Sequence, residues 1–268
     1  MSDNNRARIH ECECRVLSLD KISESSFIHE FEAPEIAQTA EPGHFLQVRI
    51  SRSYAPFLPR PFSILDKDTA KGTIRILYKV FGDTTAVLST KKAGQSVVLL
   101  GPLGNTFSIK EYRTLFLVAG GIGIPPLYNL LKNSDINGKN IKLFFGAAIK
   151  DELYLYDEFA KMPIDLYVTT DDGSQGDKQF ITVPFGNELK KWQNIDYTAV
   201  LSCGPMQMLR VVQSLALEHG IPAQLSVETI MACGIGLCQG CVLPRNDEKE
   251  YSLVCTDGPI FTEKELKL

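Results

Sequence analysis

The chain has 268 residues, 44% of them hydrophobic and 22% charged, with a formal net charge of -4. That composition suits a globular protein with a full core, long enough for two domains and a small third module. It gives no electrostatic argument for nucleic acid or an anionic membrane, and no apolar run reaches the roughly 18–20 residues needed to span a bilayer. The opening MSDNNRARIHECEC lacks the apolar stretch of a signal peptide. A cytoplasmic location is therefore expected, in which the seven cysteines read as ligands or buried thiols rather than disulfides.

From residue 8 to about 105 the chain is rich in short alternating stretches, RVLSL, FLQVRI, TIRILYKV and SVVLL, separated by turn residues. This pattern predicts a small antiparallel barrel or sandwich. One helix interrupts it at TTAVLSTKK, with Asp83 or Thr84 as its expected cap. From about 110 the texture changes. TLFLVAG, IKLFFGA, DLYVTT and YTAVLSC are apolar runs of the buried parallel kind. They alternate with helices at PLYNLLKN and MLRVVQSLALEH, the latter closed by Gly220 and Pro222. Strands alternating with helices predict a doubly wound α/β domain. From about 224 glycines and cysteines crowd a short, loop-rich tail. The expected division is 1–106 for the barrel, 107–222 for the α/β domain and 223–268 for a C-terminal module.

The tail reads MACGIGLCQGCVLPRNDEKEYSLVC, which spaces Cys233, Cys238, Cys241 and Cys255 as C-x4-C-x2-C-x13-C. Four thiolates from one segment can close round a soft metal centre, and this spacing fits the plant-type two-iron two-sulfur (2Fe-2S) pattern. Gly234, Gly236 and Gly240 supply the positive φ values and close backbone approach that such a loop needs. The alternative is a zinc site with four thiolates. Zinc knuckles pair C-x2-C twice, and only one such pair is present here. Cys12 and Cys14 form a C-x-C on one strand face and read as packing thiols.

AGGIGIPP lies between a buried strand and a helix, where glycines admit a pyrophosphate to the helix N-terminus. Pro126 stands in the last position of an otherwise G-x-G-x-x-G pattern, so a plain strand-to-helix turn explains the segment as well. CGPMQM makes a second turn at the same sheet edge, which favours a ligand crevice. In LPRPFSI, Arg60 is a forked, permanent cation suited to phosphate. GDTTAVL adds a helix N-terminus with two hydroxyls. Taken singly, these are also a surface arginine and an ordinary capped helix.

In combination, PGHF, RPFS, LYKVFGDTT, GPLGNTF, AGGIGIPP, CGP and the cysteine tail resemble the ferredoxin–NADP reductase superfamily. Within it, MACGIGLCQGC with VCTDGP is similar to the electron-transfer subunits of NAD-dependent, two-subunit dihydroorotate dehydrogenases. The resemblance covers residues 8–263. It implies an FAD-binding barrel, an NAD-binding α/β domain and a 2Fe-2S module. Arg60, Pro61, Phe62 and Ser63 would line FAD, with Arg60 near the pyrophosphate and Ser63 near the ring. Leu77, Tyr78 and Lys79 would contact the flavin largely through backbone, and Thr84 and Thr85 would hold the pyrophosphate. Gly121, Gly123 and the Cys203–Gly204–Pro205 turn would face NAD(H), with Asp172 near the same nucleotide unless a turn accounts for it. His44 departs from the family's PGQF.

The histidines His10, His29, His44 and His219 form no catalytic set, so the chemistry belongs to the cofactors. The resemblance implies electron flow between NAD(H) and an FMN-containing dihydroorotate dehydrogenase catalytic subunit, in a heterotetramer of two chains of each kind. The alternative is a related subunit of a ferredoxin:NADP oxidoreductase, sulfide dehydrogenase, sulfite reductase or hydrogenase complex. The transhydrogenase-like small subunits typically carry Asp where this chain has Cys233, which favours the dihydroorotate system.

Overall fold

A computed structural model describes residues 7–50, 57–246 and 250–268. The first six residues of the polar N-terminus, and 247–249 between the third and fourth tail cysteines, lie outside the described residues.

The alternating first third closes into a six-stranded antiparallel barrel. In chain order it comprises β1 (His10–Lys21), β2 (Ser26–Glu32), α1 (Pro34–Thr39), β3 (Phe45–Arg49), β4 (Arg60–Asp68), β5 (Thr73–Lys79), α2 (Asp83–Leu88) and β6 (Ser96–Leu103). The strands close in the order β1-β2-β5-β4-β3-β6, and β6 returns to pair with β1. Cys14, Val16, Leu46, Val48, Ile64, Ile74, Ile76 and Leu99 fill the interior. Cys12 shares a face with Cys14, their Sγ atoms 2.9 Å apart, as packing thiols on one strand face should. The cap of α2 differs from expectation. Gly82 is the cap residue and Asp83 is the first helical residue. Thr85 Oγ1 accepts the N–H groups of Phe81 at 2.9 Å and Gly82 at 3.1 Å, which does the work a capping side chain would do.

The second unit runs β7 (Thr114–Gly120), α3 (Pro125–Asn133), β8 (Asn140–Ala147), α4 (Tyr156–Phe159), β9 (Asp165–Thr170), β10 (Asp177–Lys178), α5 (Thr182–Lys191), β11 (Thr198–Cys203), α6 (Met206–His219) and β12 (Ala223–Ser226). The tail adds β13 (Val242–Pro244), β14 (Tyr251–Leu253) and β15 (Ile260–Thr262). The sheet order is β10-β9-β8-β7-β11-β12-β15, parallel except for β15. Both faces of the sheet are covered. Leu115, Leu117, Leu143 and Phe145 pack with α3 and α4, whereas Phe116, Val118 and Phe144 pack with α5 and α6. This is why TLFLVAG reads as one apolar run. The sheet continues across residue 223: β12 and β15 are its last two strands, and the cysteine segment is a loop with a two-stranded ribbon set between them.

The barrel and sheet are tied by buried polar contacts. Asn129 Nδ2 donates to Ile64 O at 3.0 Å, and Ser26 Oγ lies 2.8 Å from Tyr154 OH. Lys79 Nζ meets Glu152 Oε1 at 2.5 Å.

Candidate functional site

Three sites lie along the seams between these units. The first is a cavity of about 520 Å³ on the barrel wall, within the usual range for a cofactor pocket. Arg60, Pro61, Phe62 and Ser63 from β4 line it, with Leu77, Tyr78 and Lys79 from β5. Thr84 and Thr85 close one end. The structure therefore brings together all nine residues expected to hold flavin. Tyr78 contributes little of its side chain. It is 2% exposed, and its hydroxyl lies 3.1 Å from His29 Nδ1 within a stack formed with His29 and Phe27. That leaves mainly its backbone for a ligand.

The two threonines differ. The Thr85 hydroxyl is held by the start of α2, donating to Gly82 O at 2.9 Å. Thr84 is buried, and its Oγ1 has no partner. An orphaned buried hydroxyl is costly unless a ligand meets it. The helix start and the nearby Arg60 fork suit a phosphate, so these residues fit FAD held by its pyrophosphate. Arg60 Nη1 currently donates to Leu58 O at 2.9 Å and Pro59 O at 3.1 Å.

The second site is an adjoining crevice of about 800 Å³ at the C-terminal ends of the sheet strands. Gly121, Gly123, Gly204 and Pro205 all line it. Gly123 is there for close approach: a Cβ would lie 2.6 Å from Gly204 Cα and 2.7 Å from Cys203 O. Cys203 lies beneath this turn, fully buried and outside the crevice lining, its thiol pushed up by burial and then by Glu228. Asp172 does not line the crevice either. Its Oδ1 accepts Ser174 N at 2.9 Å and Ser174 Oγ at 2.6 Å, as a turn residue, and Asp171 lines the crevice instead.

Sequence reasoning missed the residues shared by cavity and crevice: Phe81, Ile122 and Glu228, which line both alongside Lys79. Glu228 is exposed at the crevice, and partial desolvation there raises the pKa of its carboxyl. It is a lone acid just after a short strand, and no spacing rule marks it. Gly146 and Ala147, at the end of IKLFFGA, were findable as small residues ending a buried parallel strand.

The third site is the cysteine loop. Its thiols form two pairs. Cys233 pairs with Cys238, its Sγ accepting Cys238 N at 3.4 Å. Cys241 Sγ lies 3.2 Å from Cys255 Sγ. Among the described residues no three His, Cys, Asp or Glu side chains converge on a single ion. A two-plus-two arrangement fits a binuclear cluster, in which each iron takes two protein ligands, better than mononuclear zinc. Backbone N–H groups point at the sulfurs: Ile235 N at 3.5 Å from Cys233 Sγ, Gly236 N at 3.2 Å from Cys255 Sγ and Gly240 N at 3.4 Å from Cys238 Sγ. Burial alone would raise the Cys233 thiol, but the N–H groups of Cys238 and Ile235 outweigh it and bring it to about 7. Burial and then Cys241 push Cys255 up to about 12. Gly234 and Gly236 sit at φ +74° and +82°, which glycine adopts without strain.

Asn105 of the GPLGNTF turn fastens this module to the barrel. Its Nδ2 donates to Asp257 O at 3.0 Å and Ile260 O at 2.8 Å, and its Oδ1 accepts Ile260 N at 2.9 Å.

Residues 228–267 match the family model described as the iron-sulfur cluster binding domain of dihydroorotate dehydrogenase B. Residues 117–214 match the oxidoreductase NAD-binding domain. The chain is 37% identical, over 87% of its length and 89% of the relative's, to the Bacillus cereus dihydroorotate dehydrogenase B (NAD(+)) electron transfer subunit. A Bacillus anthracis protein of the same description matches to the same extent. Among solved structures, that of the NADH-dependent reduced ferredoxin-NADP oxidoreductase superposes with TM-score 0.84 at 31% identity, covering 96% of this chain and 90% of that one. A Neisseria gonorrhoeae ferredoxin NADP+ reductase with bound FAD and NADP gives TM-score 0.69 at 17% identity, over 78% of this chain and 92% of that one, and shares the fold.

Proposed function

Since this chain belongs to the family of dihydroorotate dehydrogenase B electron-transfer subunits, we propose that it carries electrons between NAD(H) and a separate, FMN-containing subunit that interconverts dihydroorotate and orotate. Bound FAD would supply the exchange between two-electron hydride transfer and single electrons, and a 2Fe-2S cluster would carry those electrons one at a time. The observation that carries this reading is the seam between cavity and crevice. Lys79, Phe81, Ile122 and Glu228 face both, so a flavin on β4 and β5 and a nicotinamide over the Gly120–Gly123 turn would share these walls.

The residues divide the binding work. Arg60, the Thr84 hydroxyl and the start of α2 hold phosphate at one end of the cavity. Pro61, Phe62, Ser63 and the β5 backbone orient the ring. Gly121, Gly123 and Gly204 let the nucleotide backbone approach the sheet edge. The Lys79–Glu152 ion pair holds barrel against sheet at the mouth of both.

The cluster loop opens outward. Cys238 is exposed, and Leu237 and Ile230 are 79% and 87% exposed. Exposed apolar side chains around a redox site suit a partner's docking face. The family reading adds a heterotetramer of two chains of each kind, and the polar N-terminus is the ground for a cytoplasmic location. No described helix is long and apolar enough to cross a membrane.

The isolated chain should reduce ferricyanide with NADH and should not oxidise dihydroorotate. With the FMN subunit added, dihydroorotate should reduce NAD. Dihydroorotate oxidation by the chain alone would end this reading. The likeness to the ferredoxin-NADP oxidoreductase structure favours one rival, a subunit serving another NAD(P)H-linked complex. Four cysteine ligands argue for the dihydroorotate system, and co-purification with the FMN subunit decides it.

A further inference from the structure

Gln47 sits in β3 at 1% exposure, and neither its Oε1 nor its Nε2 has a hydrogen-bond partner. A buried amide unmet at both ends is costly and needs an explanation. Strand alternation shows where it points. Leu46 and Val48 fill the barrel interior, so Phe45 and Gln47 face outward. Phe45 packs in one cluster with Cys241, Val254 and Cys255. Gln47 packs on the cysteine loop itself: a Cβ at Gly234 would meet Gln47 Cγ at 2.7 Å and Nε2 at 3.1 Å. Gly234 directly follows Cys233. Across the strand pair, Gln47 stands opposite Pro61 in β4, within the RPFS segment that lines the flavin cavity. It is thus a buried, unpartnered donor in the wall between flavin cavity and cysteine loop.

We propose that the Gln47 side-chain amide donates an N–H to the sulfur shell of the cluster at its Cys233 end, and so raises the cluster's reduction potential. This rests on the reading of the loop as a 2Fe-2S site. The physical argument is charge. The reduced cluster carries one more negative charge, and a hydrogen bond to a charged acceptor is stronger than one to a less charged acceptor. Hydrogen bonds to the sulfurs are one of the known determinants of potential. Gln47 touches the ligand shell from the barrel side, whereas the N–H donors at Cys233, Cys238 and Cys255 come from the loop itself.

The test is a mediated potentiometric titration of the holoprotein followed by EPR, with iron, sulfide and FAD contents measured on each sample. Gln47→Met keeps length and removes the donor. Gln47→Glu replaces the amide with an acceptor. Gln47→His keeps an N–H. The Met variant should favour the oxidised cluster about tenfold, which is about 59 mV lower for a one-electron couple. The Glu variant should shift further in the same direction, and the His variant should stay close to wild type. The FAD potential should not move. Unchanged potentials in the Met and Glu variants overturn the proposal. So does loss of the cluster in all three variants, which would make Gln47 a packing residue only. If the Met variant alone fails to assemble, the Glu and His variants decide. Because mediators rather than NADH set the potential, failure of the electron-transfer reading would show separately, as a wild-type cluster that NADH cannot reduce.

Discussion

His44 ties the stability of the barrel to pH. It lies in the PGHF turn before β3, 4% exposed, and its Nδ1 accepts the Glu41 N–H at 2.9 Å. A protonated ring would lose that acceptor. Burial, and then the charge of Lys67, lower its pKa from 6.5 to about 4. Between these values the unfolded chain binds a proton that the folded chain does not, so stability rises with pH across the window and falls as pH drops through it. At pH 5 the proton-binding polynomial of the unfolded state exceeds that of the folded state about 30-fold, which is about 2 kcal/mol of lost stability relative to neutral pH. Gln at this position retains an acceptor for the Glu41 N–H and does not titrate. Urea unfolding of wild type and His44→Gln at pH 7.5 and pH 5.0, followed by far-UV circular dichroism, gives a double difference that cancels all other titrating groups. The variant should lose about 2 kcal/mol less than wild type over this range. Parallel losses within about 0.5 kcal/mol would show that burial of His44 does not hold its proton off.

Three further perturbations address the other sites. Gly123→Ala places a Cβ 2.6 Å from Gly204 Cα, so the two turns must separate; the KM for NADH should rise about tenfold or more with FAD retention unchanged, as steady-state diaphorase assays and flavin absorbance will show. Thr84→Val removes the unpartnered Oγ1; FAD dissociation followed by flavin fluorescence should be about 5–10-fold easier, while the stability of the apoprotein should hold or improve. Asn105→Leu breaks three hydrogen bonds to Asp257 and Ile260; a loss of about 2–4 kcal/mol is expected, read as a lower Tm and faster loss of iron to a chelator.

Much of this was legible in local sequence. Apolar runs such as TLFLVAG declare buried parallel strands because both of their faces meet helices. Alternation in β1 declares a half-buried strand of a barrel. The nine residues expected to hold flavin share one cavity because they lie in two short segments and one helix start, which the barrel brings together. Other features were not legible. The cap of α2 falls on Gly82 because the Thr85 hydroxyl turns back on the chain, a local competition that several residues could have won. Cys203 and Asp172 lie in segments that edge the crevice, but their side chains turn away from it, one into the core and one into its own turn. Side-chain direction at the end of a strand depends on sheet register, which composition does not specify.

The cysteine loop is written locally in the chain. Its ligands lie close along the chain, three of them within nine residues, and its glycines allow the positive φ values that wrap them, so little beyond the local chain is needed. The residues that pack on that loop are set by long-range folding. Gln47 comes from a barrel strand 187 residues before Gly234, and Asn105 from the end of the barrel. These meet because the barrel closes, because β12 and β15 join the parallel sheet, and because the loop is held between them. Contacts of that kind follow from strand pairing and packing over long sequence separations, and no local pattern of residue types encodes them.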